Sequence, residues 1–207
     1  MISGDEAFLS AVAEAVEVAR EDNLVTIGIA PSHPSTGFGY IPLGDKLGIP
    51  QAPNARLVYG FKEKPDARTA AGYIGTGKFR WNAGMFVAKA SFLLQLLQEY
   101  RPLLYEGLDK IAECWEDEAR RAEVLNEVWP GLERVAIDNA VAEPAALQGR
   151  VAVVPATFGE ILIFAISWTI MNGVMAGWDD VGDFSSLADL LPAESNQPRV
   201  LGNNNLG

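Results

Sequence analysis

LVTIGIA, residues 24–30, decides the fold. It is a nearly continuous apolar run of strand length, stopped by Pro31, and such a run belongs to a strand buried on both faces. A strand of that kind needs helices above and below it, so it predicts an α/β domain built on a largely parallel sheet. On its N-terminal side, Ser3 and Glu6 stand at capping-box spacing, and Phe8, Val12, Ala15, Val16 and Ala19 recur at helical intervals. Residues 5–21 are therefore expected to form an amphipathic helix. On its C-terminal side comes a loop dense in Pro and Gly, PSHPSTGFGYIPLG (31–44), whose Gly37 and Gly39 let backbone approach a ligand closely.

Further out, RLVYGFKEKP (56–65) reads as a second strand ending at Pro65, followed by a helix over 66–74 and a short turn, GTGK. FRWNAGMFVAKA (79–90) reads as a turn into a third strand. Ser91 is placed to cap an amphipathic helix carrying Phe92, Leu93, Leu96, Leu97 and Tyr100, which Pro102 ends. Residues 104–128 read as helical and acidic, and RVAVVPA (150–156) as a further strand. Strands alternating with helices again indicate α/β architecture. No repeats or coiled-coil heptads interrupt the pattern.

With 207 residues, 49% of them hydrophobic, the chain can bury one substantial core. A formal charge of −11 argues against a general grip on nucleic acid, which rests on Lys and Arg neutralising phosphates. Any anionic ligand must be held by a few local groups. The single cysteine, Cys114, lies in the acidic stretch IAECWEDEA without Cys or His at ligand spacing, and reads as structural. The single histidine, His33, stands between prolines in PSHPST and reads as a loop residue. Zinc sites and histidine-based triads lack raw material. Met1 leads directly into ISGDEAF with no export signal, so a cytoplasmic location is expected.

Four short motifs stand in order: TGFGYI (36–41), FKEKP (61–65), WNAGMF (81–86) and WDDVGDF (178–184). Together, and with ISGDEAF and VTIGIAP before them and AIDNAVAE and VAVVPATFG between them, they resemble the mannose-1-phosphate guanylyltransferase family of sugar-1-phosphate nucleotidyltransferases. The resemblance covers most of residues 1–200. It implies a Rossmann-like nucleotidyltransferase domain of the glycosyltransferase-A-like kind, incomplete here, with a mixed, mostly parallel sheet flanked by helices. That domain would occupy residues 1–192, with a tail over 193–207.

The resemblance also implies an enzyme that joins mannose-1-phosphate to the α-phosphate of GTP and expels pyrophosphate. Anionic oxygens meet in that reaction, so positioned cations must relieve the repulsion. Mg²⁺ favours one or two carboxylates together with phosphate oxygens and water, which the Asp179–Asp180 pair at a Gly-flanked turn can supply. Asp180 matches the family's metal-binding aspartate, while capping of a helix near Phe184 is the plainer role for either residue. Lys64 is implied beside the sugar phosphate and Glu63 on sugar hydroxyls, against the plainer reading of a solvated charge cluster at a strand end. Asn82 is expected to offer a donor and an acceptor to a sugar hydroxyl, and Gly84 to keep the nearby backbone open. Gly39 is expected to allow backbone contact with the sugar and Tyr40 to pack beside it, an ordinary turn being the alternative. Trp81, Met85 and Phe86 read as core, and Asp138 and Asn139 take a supporting role.

The sequence departs from the family pattern in two places. The Gly-rich GGxGTRLxPxS loop that holds the triphosphate does not occur, nor does the strand after it, which predicts a weak nucleotide grip, an open sheet edge and a weakened core. Residues 160–177, EILIFAISWTIMNGVMAG, look like an apolar insertion between the TFG strand and WDDVG. That run is near the short limit for a membrane span and lacks flanking Lys or Arg, so an added buried hairpin or helix, or a sequence scar from a damaged gene or misread splice, is the preferred reading. A non-catalytic sugar-phosphate-binding fragment or partner subunit, and uridylyl- or thymidylyltransferases of other hexose-1-phosphates, are the rival functions. Acidic charge favours solubility, whereas the open edge and the insert favour association, including homo-oligomers.

Overall fold

A computed structural model of the chain describes residues 5–156. Ser3, the 160–177 run, Asp179, Asp180 and the 193–207 tail lie outside the described residues.

The run that decides the fold forms β1 (Leu24–Ile29), buried at every position. Its side chains alternate between two cores. Val25, Ile27 and Ile29 join Ala152, Val154 and Ala156 of β5 (Val151–Ala156) beneath α1 (Asp5–Ala19). Leu24 joins Val151 and Val153 against Phe92 and Leu96 of α3 (Ala90–Tyr100) on the opposite face. Each fully buried Val, Leu or Ile contributes about 1.5–3 kcal/mol of transfer free energy, so these two rows dominate the fold's stability. In α1 the buried stripe is Ala11, Ala15, Val18 and Ala19, while Val16, expected in the stripe, is 37% exposed. The 11-15-18 spacing follows i+4, i+3, which turns residue 16 off the packed face.

β1 is flanked by β5, in parallel register, and by β4 (Phe79–Val87), antiparallel. β4 pairs in turn with β2 (Tyr40–Pro42), and β5 with β3 (Arg56–Leu57), both antiparallel, giving the order β2-β4-β1-β5-β3. The α/β architecture with a mixed, helix-flanked sheet is as the sequence reads. Its balance differs from the mostly parallel one expected: only the β1–β5 pairing among the described residues is parallel. Burial of β1 on both faces comes from the helices, and that requirement does not fix the direction of the neighbouring strands.

The second strand is also shorter than the 56–65 expected. After Leu57 the chain leaves the ladder at Val58, whose N–H donates to Val151 O at 2.9 Å, and returns to β2 only at Lys62, which exchanges two hydrogen bonds with Tyr40. Between these points the sheet curls. Gly44 N–H donates to Leu57 O at 3.0 Å, Leu57 N–H to Asp45 O at 2.9 Å and Leu47 N–H to Ala55 O at 3.1 Å, so residues 43–47 tie β3 to the β2 side. Among the described residues β1 is paired on both sides, and the sheet ends at β2 and β3.

The remaining helices complete the described chain in ways the sequence largely signals. α2 (Ala67–Thr76) starts at Asp66, whose carboxylate accepts from Arg68 and Thr69 N–H, and stops at Gly77 in the left-handed region. Its cap holds the Asp66 carboxyl below the usual range, chiefly through the Thr69 hydroxyl. α3 has Lys89 at its N-cap with no side-chain cap bond, so Ser91 lies inside the first turn rather than capping it. Pro102 ends α3 by opening α4 (Pro102–Glu113), which α5 (Glu118–Val128) follows. Cys114, 4% exposed, donates to Ile111 O and is a packing residue. A π-helical turn (Asp138–Ala142) runs into α6 (Glu143–Leu147) beneath the sheet. Among the described residues no helix is long and apolar enough to cross a membrane.

Gly28 marks how closely the central strands approach: a Cβ there would meet Val153 Cγ2 at 2.7 Å and Arg80 Cβ at 2.9 Å. Gly28→Ala is expected to destabilise the chain by about 1–3 kcal/mol through overpacking. Urea unfolding checks it: the midpoint falls while the slope m stays constant.

Candidate functional site

The β1–β4 register slips beside the centre of the sheet. Thr26 opposes Phe86 and Gly28 opposes Asn82, so one residue of β1 faces three of β4, Ala83 to Met85. Gly84 sits at φ +67 in this bulge, a conformation that a side chain resists. The bulge breaks the ladder and opens the strand toward a cleft of about 440 Å³, within the range of small-ligand sites.

Three other segments complete the cleft. Gly37 to Gly39 come from the loop before β2, Glu63 and Lys64 from the segment after the Lys62 bridge, and Ala136, Asp138 and Asn139 from the start of the π-helical turn. The motifs TGFGYI, FKEKP, WNAGMF and AIDNAVAE thus meet at one place. Gly39, Glu63, Lys64, Asn82 and Gly84 all line it. Tyr40 does not: it is fully buried, and its hydroxyl donates to Ser35 O at 2.9 Å. A strand residue between the packed Tyr73 and Trp81 rings serves the core instead of the expected ligand face. Trp81 is 2% exposed, and Met85 and Phe86 are half-buried against the two cores, in line with the sequence reading. His33 lies edge-on to Trp81 with ring centroids 5.0 Å apart and does not line the cleft.

Glycine at 39 has a steric reason. A Cβ there would lie 2.6 Å from Glu63 Oε2, so the bare backbone lets that carboxylate lean into the cleft. Gly39 O also accepts from Asn82 N–H at 2.8 Å, which fixes loop to strand. Lys64 holds φ +41, left-handed for a residue with a side chain, at a cost of about 1–3 kcal/mol. Its ammonium stands 3.8 Å from Glu63 Oε1 with the two side chains 67% and 52% exposed. Solvent screens such a pair, so both groups remain available to a ligand.

Asn82 is more committed than the sequence suggests. Its Oδ1 accepts from Thr26 Oγ1 at 3.0 Å and from Gly84 N–H at 3.2 Å, and its Nδ2 donates to Asp138 Oδ1 at 2.8 Å. Asp138, read from the sequence as a supporting residue, lines the cleft and orients Asn82 as well. Sequence reasoning missed Thr26 entirely. Its signal was a hydroxyl in an otherwise apolar strand, which must find a partner once buried.

The wall therefore offers two carboxylates, one ammonium, one remaining Asn82 N–H and the Asn139 side-chain amide to a ligand rich in hydroxyls and carrying negative charge at one end. Among the described residues no group of three His, Cys, Asp or Glu side chains gathers to hold a metal ion. A larger cleft of about 540 Å³ between α4 and α5 is lined by Ile111, Trp115, Leu125 and Trp129 and has no ionisable wall.

The family model for nucleotidyl transferases matches residues 1–197. The xanthan biosynthesis protein XanB of Xanthomonas campestris pv. campestris (strain B100) is 34% identical over 190 residues, covering 92% of this chain and 35% of XanB. The mannose-1-phosphate guanylyltransferase of Escherichia coli (strain K12) is 33% identical over 190 residues, with the same 92% and 35% coverage. Among solved structures, a mannose-1-phosphate geranyltransferase from Thermus thermophilus superposes with a TM-score of 0.61 at 32% identity, covering 75% of this chain and 41% of that one. A mannose-6-phosphate isomerase from Helicobacter pylori gives 0.56 at 25% identity, covering 75% and 58%. The chain spans about a third of the length of the curated relatives it matches.

Gly39→Ala tests the cleft's geometry. The obstructed atom is the far end of a flexible side chain, so stability should stay within about 0.5 kcal/mol of wild type. The Glu63 carboxylate must move, and its ¹³Cδ resonance should shift; an unchanged resonance would show that the close approach is not made.

Proposed function

The chain belongs to the nucleotidyl transferase family, and on that premise we propose that its cleft holds the sugar phosphate in the reaction of mannose-1-phosphate with GTP, which yields GDP-mannose and pyrophosphate. The observation that carries this reading is the convergence of Gly39, Glu63, Lys64, Asn82, Gly84 and Asp138 on one cleft from segments distant in sequence. The names of the relatives in Escherichia coli and Salmonella typhimurium support the choice of mannose-1-phosphate and the guanylyl group.

Each side chain then has a task set by its chemistry. The carboxylates of Glu63 and Asp138 accept hydrogen bonds from ring hydroxyls, and the remaining Asn82 N–H donates to a hydroxyl oxygen. Lys64 places its ammonium on the phosphate, where it draws charge off the nucleophilic oxygen's neighbours and fixes its direction. That oxygen attacks the α-phosphorus of the nucleotide in line, a new P–O bond forms, and the bond to pyrophosphate breaks. Held at about 3 Å from its target, the sugar phosphate gains the rate advantage of a preorganised pair.

The adjacent carboxylates of Asp179 and Asp180, outside the described residues, suit a hard cation such as Mg²⁺. Bound there, the ion would neutralise charge building on the phosphates. The substrates are small, soluble anions, which fits a cytoplasmic site of action.

Isothermal titration of the whole purified chain with mannose-1-phosphate, with and without Mg²⁺, tests the proposal. Saturable binding that weakens about 10- to 100-fold in Lys64→Ala is expected for loss of one charge-assisted hydrogen bond. Binding that glucose-1-phosphate matches would move the sugar assignment. A folded chain that binds neither sugar phosphate, or that binds equally well in Lys64→Ala, would overturn it.

A further inference from the structure

We propose that Thr26 is a positioning residue: from inside the sheet it anchors the Asn82 amide, while Gly84 N–H and Asp138 set which end is the oxygen, so that the cleft meets Asn82 as a hydrogen-bond donor. The orientation stands on geometry alone, while its effect on affinity rests on the sugar-phosphate reading above.

Thr26 is fully buried on β1, the one buried polar side chain in the described core. Its hydroxyl has no water to turn to, and it points across to β4, donating to Asn82 Oδ1 at 3.0 Å. The bulge supplies the second donor, Gly84 N–H at 3.2 Å. An amide oxygen has two lone pairs, and both are now taken. On the other side of the amide, Nδ2 donates to Asp138 Oδ1 at 2.8 Å, which leaves one N–H uncommitted.

The reverse orientation is penalised at two of the three contacts. It would set the amide N–H₂ against the Gly84 N–H and the amide oxygen against a carboxylate oxygen, replacing two attractions by two repulsions. Of the three partners, Gly84 lies in the bulge and Asp138 on the cleft rim, whereas Thr26 alone is fixed in the fully buried central strand. Without its hydroxyl, Asn82 Oδ1 loses its buried anchor and keeps one lone pair unsatisfied inside the sheet, so the amide is held less firmly where it meets the cleft. The firmness with which the cleft presents this donor thus depends on a residue one layer below the surface that the ligand touches.

The test uses the whole chain in three forms: wild type, Thr26→Val, which keeps shape and loses the hydroxyl, and Thr26→Ser, which keeps the hydroxyl. Two quantities are read. The first, without ligand, is hydrogen exchange of the Asn82 side-chain amide protons by NMR. The second is affinity for mannose-1-phosphate. Thr26→Val is expected to raise the Asn82 exchange rate, and to lower affinity, by about fivefold to tenfold, the worth of one neutral hydrogen bond. Thr26→Ser should restore both to near wild type, which a packing role would not do, since Ser removes the methyl that packing needs. Should Thr26→Val fail to fold, Thr26→Cys replaces it, its weakly donating thiol giving an intermediate value. Equal Asn82 exchange in all folded variants overturns the proposal whatever the affinities do. If wild type binds no mannose-1-phosphate, the sugar-phosphate reading fails and the exchange arm alone decides the positioning role.

Discussion

Everything in the described structure depends on one strand being satisfied on four sides. β1 is buried along its whole length, so each of its backbone groups needs a partner in the sheet and each of its side chains a partner in a core. β5 and β4 answer the first demand; α1 on one face and α3 with α6 on the other answer the second. A strand so enclosed has no freedom to slip, because a one-residue shift would exchange its two faces. That rigidity makes β1 a fixed reference against which a functional cleft can be set.

The cleft is made by a controlled departure from the same order. Where β4 bulges opposite Ile27, the ladder gives up regular pairing, and the lost partners are replaced by side chains. Asn82 takes over, accepting from a buried hydroxyl and a bulge amide and donating to a carboxylate from the π-helical turn. A bulge and a π-turn are both insertions into regular structure, and here they face each other across the same amide. The polar interior of the site is therefore the repair of the backbone irregularity that opens it.

Much of this was legible in sequence, and the reasons differ by residue. LVTIGIA announced the central strand because unbroken apolarity over strand length, closed by a proline, is what a doubly buried strand requires. The helix expected over 66–74 was legible in outline, while its cap at Asp66 and its stop at Gly77, two residues into the expected turn, come from the structure. The cleft's members were legible through resemblance to a family, since nothing in FKEKP or WNAGMF alone says that they meet. Tyr40 was misplaced because an aromatic beside a glycine looks the same whether its ring turns to ligand or to core, and only the β2–β4 pairing decides. The 56–65 strand was overlong because curling of a sheet is a property of several strands at once. Ser91 failed as a cap for a more local reason, that the helix had already begun at the preceding residue. Thr26 carried a readable sign, but its partner lies far along the chain.

That distance has a kinetic side. Thr26 to Asn82 spans 56 residues, and Asn82 to Asp138 another 56. Both loops must close before the amide has its three partners, and loop closure over such lengths is entropically opposed until the sheet supplies the return. Contacts of this range form with the global topology and not ahead of it. A nascent or partly melted chain can thus retain α2 or the α4–α5 hairpin, which are local, while having no cleft at all. The site is in this sense a reporter of complete folding: its amide is oriented only in molecules whose first strand, bulged strand and π-turn have all arrived.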